Sequence, residues 1–126
     1  MNAVAVGLDL GPGDRVLTTD QEHGGGHNCW EYLARRRGIV LDQVPIPLGE
    51  NDAPAIVDRF RKAITPKTRA IIPVDLAGLP VDRDRLYAIA QQHHLRVVED
   101  AAQSMGSNWR GRRIGAGEPE GMPMSR

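Results

Sequence analysis

The sequence predicts an α/β protein built on a mainly parallel sheet. Short apolar runs alternate with helix-spaced apolar patterns, and Gly, Pro, Asn or Asp marks most of the changes. That rhythm calls for parallel strands joined by right-handed crossovers. One apolar run, Val97-Val98-Glu99-Asp100-Ala101-Ala102-Gln103-Ser104, ends in carboxylates followed at once by small residues and an amide. Ligands of open α/β sheets bind outside the carboxyl ends of the strands, so Asp100 is the first candidate for a functional residue.

Each element has its own signal. Gly11-Pro12-Gly13-Asp14 is a turn, and residues 15–19 after it form the first strand. Residues 27–37 follow as a helix with Trp30, Leu33 and Ala34 on one face and Gly38 suited to ending it. Residues 39–46 make the second strand. Residues 53–64 make a helix through Val57, Phe60 and Ile64, and residues 69–76 a third strand. Residues 84–94 form a helix through Leu86, Ile89, Ala90 and His93, leading into a strand over 95–99. Pro45, Pro47 and Pro73 fall in or beside strands, where a missing amide donor is tolerated at edges and ends, so the strands should be short. Trp109-Arg110-Gly111-Arg112-Arg113 reads as a solvated hairpin. Residues 1–110 are expected to form the ordered unit and 111–126 a disordered tail, rich in Gly, Pro and charge and without periodicity.

Composition narrows the partners. The 126 residues suffice for one domain with one core. Sixteen Lys and Arg balance sixteen Asp and Glu, which argues against nucleic acid or an anionic membrane and leaves a small molecule or a protein. The single cysteine, Cys29, excludes an internal disulfide framework. With neither a signal-peptide pattern nor a bilayer-spanning run, the expected compartment is the cytoplasm.

Several motifs fall in a recognisable order. The run Arg15-Val16-Leu17-Thr18-Thr19-Asp20-Gln21-Glu22-His23, then Trp30-Glu31-Tyr32, Arg36-Arg37-Gly38, Val44-Pro45-Ile46-Pro47 and Ile64-Thr65-Pro66-Lys67-Thr68-Arg69 resemble class V aminotransferases, in particular the isopenicillin N epimerase-like branch. Further on, Ile72-Pro73-Val74-Asp75-Leu76-Ala77-Gly78, Glu99-Asp100-Ala101-Ala102-Gln103-Ser104 and Gly111-Arg112-Arg113-Ile114-Gly115 are similar to the DegT/DnrJ/EryC1/StrS aminotransferases. Both resemblances imply a fold type I pyridoxal phosphate (PLP) enzyme, and so a partial three-layer sandwich that is an incomplete large domain. They imply that Asp100 pairs with the pyridine nitrogen, Gln103 donates to the phenolic oxygen and His23 stacks on the ring. A protonated ring nitrogen makes the pyridine an electron sink for a carbanion at the substrate α-carbon.

The same resemblance exposes what the chain does not carry. A Schiff-base lysine is expected beyond the Asp100 strand and a phosphate-binding Gly-Thr or Gly-Ser loop before the first helix. The only lysines, Lys62 and Lys67, lie upstream of Asp100, and Met1 falls where that first helix is already under way. No catalytic lysine is therefore assigned, and binding of the cofactor by this chain alone is expected to be weak and non-covalent. The strand ending at Glu99 would lack its usual neighbour, which predicts marginal stability or oligomerisation.

Other clusters have plainer readings. His23, His27, Glu22 and Cys29 could suggest a metal, but Gly24-Gly25-Gly26 speaks against a helix that would align the histidines, so no metal is assigned. Those glycines are read as a turn or a close backbone approach to a ligand. Cys29 is a small apolar residue of the Trp30 helix, and His93-His94 a helix end. Three functions remain open. One is amino-group transfer between small-molecule donor and acceptor, on an amino acid or amino-sugar, in a homo-oligomeric family. The second is PLP-dependent epimerisation or elimination, and the third a non-catalytic remnant or accessory subunit.

Overall fold

The computed structural model describes residues 2–115. Its elements are α1 (Asn2–Gly7), β1 (Arg15–Thr19), α2 (Gly24–Arg37), β2 (Val40–Val44), α3 (Ala53–Ala63), β3 (Thr68–Ile71), α4 (Arg83–Gln92), β4 (Arg96–Val97), β5 (Asn108–Trp109) and β6 (Arg112–Arg113), with a 3-10 turn at Leu76–Gly78. The first four strands form one sheet in the order β2-β1-β3-β4, with every neighbouring pair parallel.

Alternation along the strands sorts the core into two layers. Val16, Ala70 and Ile72 pack with Trp30, Leu33, Ala5 and Leu8 under α1 and α2, while Leu17 and Ile71 pack with Phe60, Leu86 and Ala90 under α3 and α4. The sheet between these helical layers is the expected three-layer sandwich. The chain runs β1 to β2 in one direction and then β3 to β4 in the other, so a topological switch point lies between β1 and β3.

Several boundaries move for physical reasons. The second strand stops at Val44, immediately before Pro45, and the third at Ile71, two residues before Pro73, which has no amide hydrogen for a ladder. Only Arg96–Val97 counts as regular strand where 95–99 was expected. Backbone pairing nevertheless continues: Val98 N–H donates to Ile71 O at 3.0 Å, Asp100 N–H to Pro73 O at 2.9 Å, and Val74 and Asp100 form a parallel bridge. Helix α2 begins at Gly24, not His27, so the three glycines are its first turn. Helix α1 was not read from the residues; Arg37 fixes it, donating from Nη1 to Leu8 O and from Nη2 to Val6 O, both at 2.9 Å. Helix α4 starts one residue early at Arg83, capped by Asp82, and ends before His93, which is exposed instead of on the apolar face. The hairpin at Trp109–Arg113 is present, turning through Arg110 and Gly111, both at positive φ. Paired structure therefore extends past residue 110, and residues 116–126 of the expected tail lie outside the described residues. No helix among the described residues is long and apolar enough to cross a membrane.

Gly38 closes α2 at φ 72°, with its N–H on Ala34 O, and a side-chain carbon there would lie 3.4 Å from Pro12. Gly38→Ala should lower stability by about 1–2 kcal/mol through the left-handed backbone, whereas Gly7→Ala, which meets open space, should stay within about 0.5 kcal/mol. Urea unfolding of the two variants would show this, and equal midpoints would contradict it.

Candidate functional site

The carboxyl ends of β1, β3 and β4 carry the polar residues that the sequence singled out. Asp100 is half-buried. Its backbone is bonded on both sides to the segment after β3, from Asp100 N–H to Pro73 O and from Asp75 N–H at 3.0 Å to Asp100 O. Its Oδ1 accepts from Ala102 N–H at 3.2 Å, which turns the chain away from the strand. Gln103 follows on the surface and accepts at Oε1 from Ala77 N–H at 2.9 Å. That bond orients the amide and leaves its NH2 group to donate. Asp100 and Gln103 thus occupy one loop tied to one neighbour.

His23 stands at the end of β1, two strands from Asp100 across the switch point. It is the N-cap of α2, with Nδ1 accepting from Gly25 N–H at 3.1 Å. The neutral ring must then keep its proton on Nε2. Glu22 directly precedes His23 and feels the charge of Asp100; the sequence marks it only as a possible metal ligand. Thr18 Oγ1 donates to Glu22 Oε2 at 2.9 Å, while Oε1 is buried without a hydrogen-bond partner. Burial raises the Glu22 carboxyl above its ordinary value and outweighs the Thr18 hydrogen bond that opposes it; the Asp100 charge adds to the rise, and His27 and Trp30 oppose it more weakly.

The loop holding Asp100 rests on a buried ionic network that was not foreseen. Arg83 donates from Nη2 to Asp75 Oδ2 at 2.9 Å and to Glu99 Oε2 at 3.0 Å, and from Nε to Glu99 Oε1 at 3.0 Å. Ser104 Oγ donates to the same Asp75 Oδ2 at 2.6 Å, Val81 N–H to Asp75 Oδ1 at 3.0 Å, and Tyr87 OH to Glu99 Oε1 at 2.8 Å. Burial alone would pull the guanidinium down, but the bonds and charges of Glu99 and Asp75 outweigh it and hold Arg83 above its ordinary value. Its residues are spread from 75 to 104, a span in which no local spacing announces contact.

The metal reading finds no geometry. Among the described residues no group of three or more His, Cys, Asp or Glu could hold an ion. His27 instead lies 3.3 Å from Glu31 on the helix surface, and buried Cys29 donates to Gly25 O. Lys62 sits in the last turn of α3, and Lys67 O accepts from Arg15 N–H where β1 begins. Both lysines belong to the amino end of the sheet, opposite Asp100. A cavity of about 180 Å³ opens beside the switch point under α3 and α4, walled by Ile46, Val57, Phe60, Val74 and Leu86. His23, Asp100 and Gln103 are not among its walls.

A mainly parallel sheet with helices on both faces and an acid, an amide and an imidazole at its carboxyl edge defines part of an α/β domain, and comparison with known proteins specifies it further. The DegT/DnrJ/EryC1/StrS aminotransferase family model matches residues 1–121, and the chain belongs to that family. It is 40% identical over 114 residues to the dTDP-3-amino-3,4,6-trideoxy-alpha-D-glucose transaminase of Streptomyces venezuelae, covering 88% of this chain and 28% of that protein. It resembles the solved structure of S. venezuelae DesV with a TM-score of 0.67 and 35% identity, over 92% of this chain and 29% of DesV. The cystine C-S lyase C-DES aligns with a TM-score of 0.73 and 32% identity, over 83% of this chain and 29% of the lyase. The chain therefore spans under a third of each relative's length, and those relatives are fold type I PLP enzymes.

Two variants test the energetics. Arg83→Met leaves the buried Asp75 and half-buried Glu99 carboxylates without their cation and should cost about 3–5 kcal/mol by urea unfolding, a loss under about 1 kcal/mol contradicting the network. For Glu22 the sign follows from its raised value: the fold favours the protonated acid, so this stabilisation is full below the ordinary carboxyl range and is lost as pH rises through the folded value. Glu22→Gln cannot ionise, so its stability relative to the wild type should improve as pH rises above the ordinary carboxyl range. A pH-independent difference would contradict it.

Proposed function

We propose that this chain carries the ring-binding segment of a PLP-dependent aminotransferase acting on small-molecule amino donors and acceptors, an amino-sugar or an amino acid. The observation that carries the reading is the Asp100 loop. A half-buried carboxylate there has one oxygen on Ala102 N–H, and three residues on Gln103 has its amide locked with the donor side free. These groups fit PLP. Asp100 would accept from the pyridine N–H, Gln103 would donate to the phenolic oxygen, and the exposed ring of His23 offers a flat face for stacking. When bound, the cofactor supplies an electron sink for the substrate α-carbon. Holding a proton on the ring nitrogen is the part this chain performs: the Asp100 charge favours the protonated ring, and the Asp75–Ser104 bond keeps its loop in place.

Neither lysine reaches that edge, so the amine that would exchange with substrate is supplied outside residues 2–115. The likeness of residues 15–69 to class V aminotransferases is part of the same reading. It keeps epimerisation or elimination as a second possibility, favoured by the likeness to the C-S lyase. We further infer a homo-oligomeric protein, since the outer edge of β4 pairs with no strand among the described residues; a cytoplasmic location stays the expectation from the sequence.

Titration with PLP followed by borohydride and intact-mass analysis tests the proposal. Binding should be reversible, with no mass retained after reduction, and Asp100→Asn should weaken it about ten- to a hundredfold, as befits a charge-assisted hydrogen bond of about 1.5–3 kcal/mol. Stoichiometric reduction onto Lys62 or Lys67, or unchanged affinity in the variant, would overturn it.

A further inference from the structure

Gly24-Gly25-Gly26 opens a helix, where glycine is a poor choice for stability. Two of the three have a steric reason to be there. A side-chain carbon on Gly25 would lie 3.2 Å from His23 Nδ1, and one on Gly26 would lie 2.7 Å from Glu22 Oε1, a separation real contacts do not reach. The two side chains before the helix therefore fold back over its first turn, each into the space that one glycine leaves.

We propose that Glu22 is a positioning residue that holds His23 in its stacking pose over the cofactor ring; this rests on the PLP reading above. The turn between β1 and α2 is pinned on its other side by Asp20 Oδ1, which accepts from Ile46 N–H at 2.9 Å, and by Gln21 Nε2, which donates to Ile46 O at 3.0 Å. Those bonds secure its β2 side and leave the His23 end to Glu22. Its anchor is rigid, because Thr18 is completely buried within β1. The second carboxyl oxygen is buried, as is the Trp30 indole N–H, which lies near enough to the carboxyl group to favour its charged form. The His23 ring is thus fixed twice, through its own cap bond to Gly25 and through the clamp on the preceding residue.

The test reads His23 directly. In the 126-residue chain, PLP at saturation, judged by its absorbance, should move the His23 Cε1 proton upfield by the ring current of a stacked pyridine; His23→Gln assigns the resonance among the four histidines. Glu22→Ala should still bind PLP through Asp100 and Gln103 but lose that shift. Gly26→Ala should do the same by displacing the carboxyl group, whereas Glu22→Gln, which keeps an oxygen for Thr18, should retain it. A full shift in Glu22→Ala at saturation overturns the inference. So does saturable binding by the wild type with no shift at His23, and in that case the cofactor reading survives. No PLP binding by the wild type would remove both.

Discussion

The Arg83 guanidinium and its two carboxylates hold together the end of the molecule where the chemistry would occur. Asp75 lies after β3, Arg83 at the start of α4, Glu99 at the end of the β4 run, and Ser104 in the loop beyond Asp100. One guanidinium therefore joins segments that share no local sequence relation. A buried pair of this kind adds little net stability over an apolar substitute, because desolvation offsets most of the attraction, but losing one member is costly. Its consequence here is geometric: with Asp75 held by Arg83 and Ser104, its N–H bonds the Asp100 carbonyl and ties the loop carrying Asp100 and Gln103 to the end of β3.

The same region shows how proline shapes a site. Pro73 ends the β3 ladder, yet its carbonyl still accepts from Asp100, so the strands stay together without regular pairing. Beyond the Val74–Asp100 bridge, Leu76–Gly78 form a short 3-10 turn with Ala77 and Gly78 at positive φ. Ala77 N–H is thereby presented to Gln103. A regular strand running to residue 76, as periodicity alone suggests, would point that amide into a neighbouring strand.

Periodicity made the order of elements legible, because Trp30 and Leu33, or Leu86 and Ile89, sit at helical spacing whatever surrounds them. Boundaries were less legible. The glycines ahead of His27 read as a turn since their intrinsic cost argues against helix, and only the packing of Glu22 and His23 over them explains why a helix begins there. Asp100 stood out because a carboxylate after an apolar strand is a local pattern. Arg83 did not, since it is an ordinary polar residue until the fold buries it, and Asp75 and Ser104 lay in runs that carry the resemblance without a role being marked for either. Of the candidate site, the residues marked by local pattern or by resemblance were visible, and those that support them were not.

In the proposed function, Asp100 accepts from the ring nitrogen of PLP and keeps it protonated. The most direct measurement is the nitrogen-15 chemical shift of ring-labelled PLP bound to the chain, recorded at a pH where the free pyridine has lost its proton. A pyridinium shift in the wild type that reverts to that of neutral pyridine in Asp100→Asn is the expected result. A neutral-pyridine shift in the bound wild type would contradict the account.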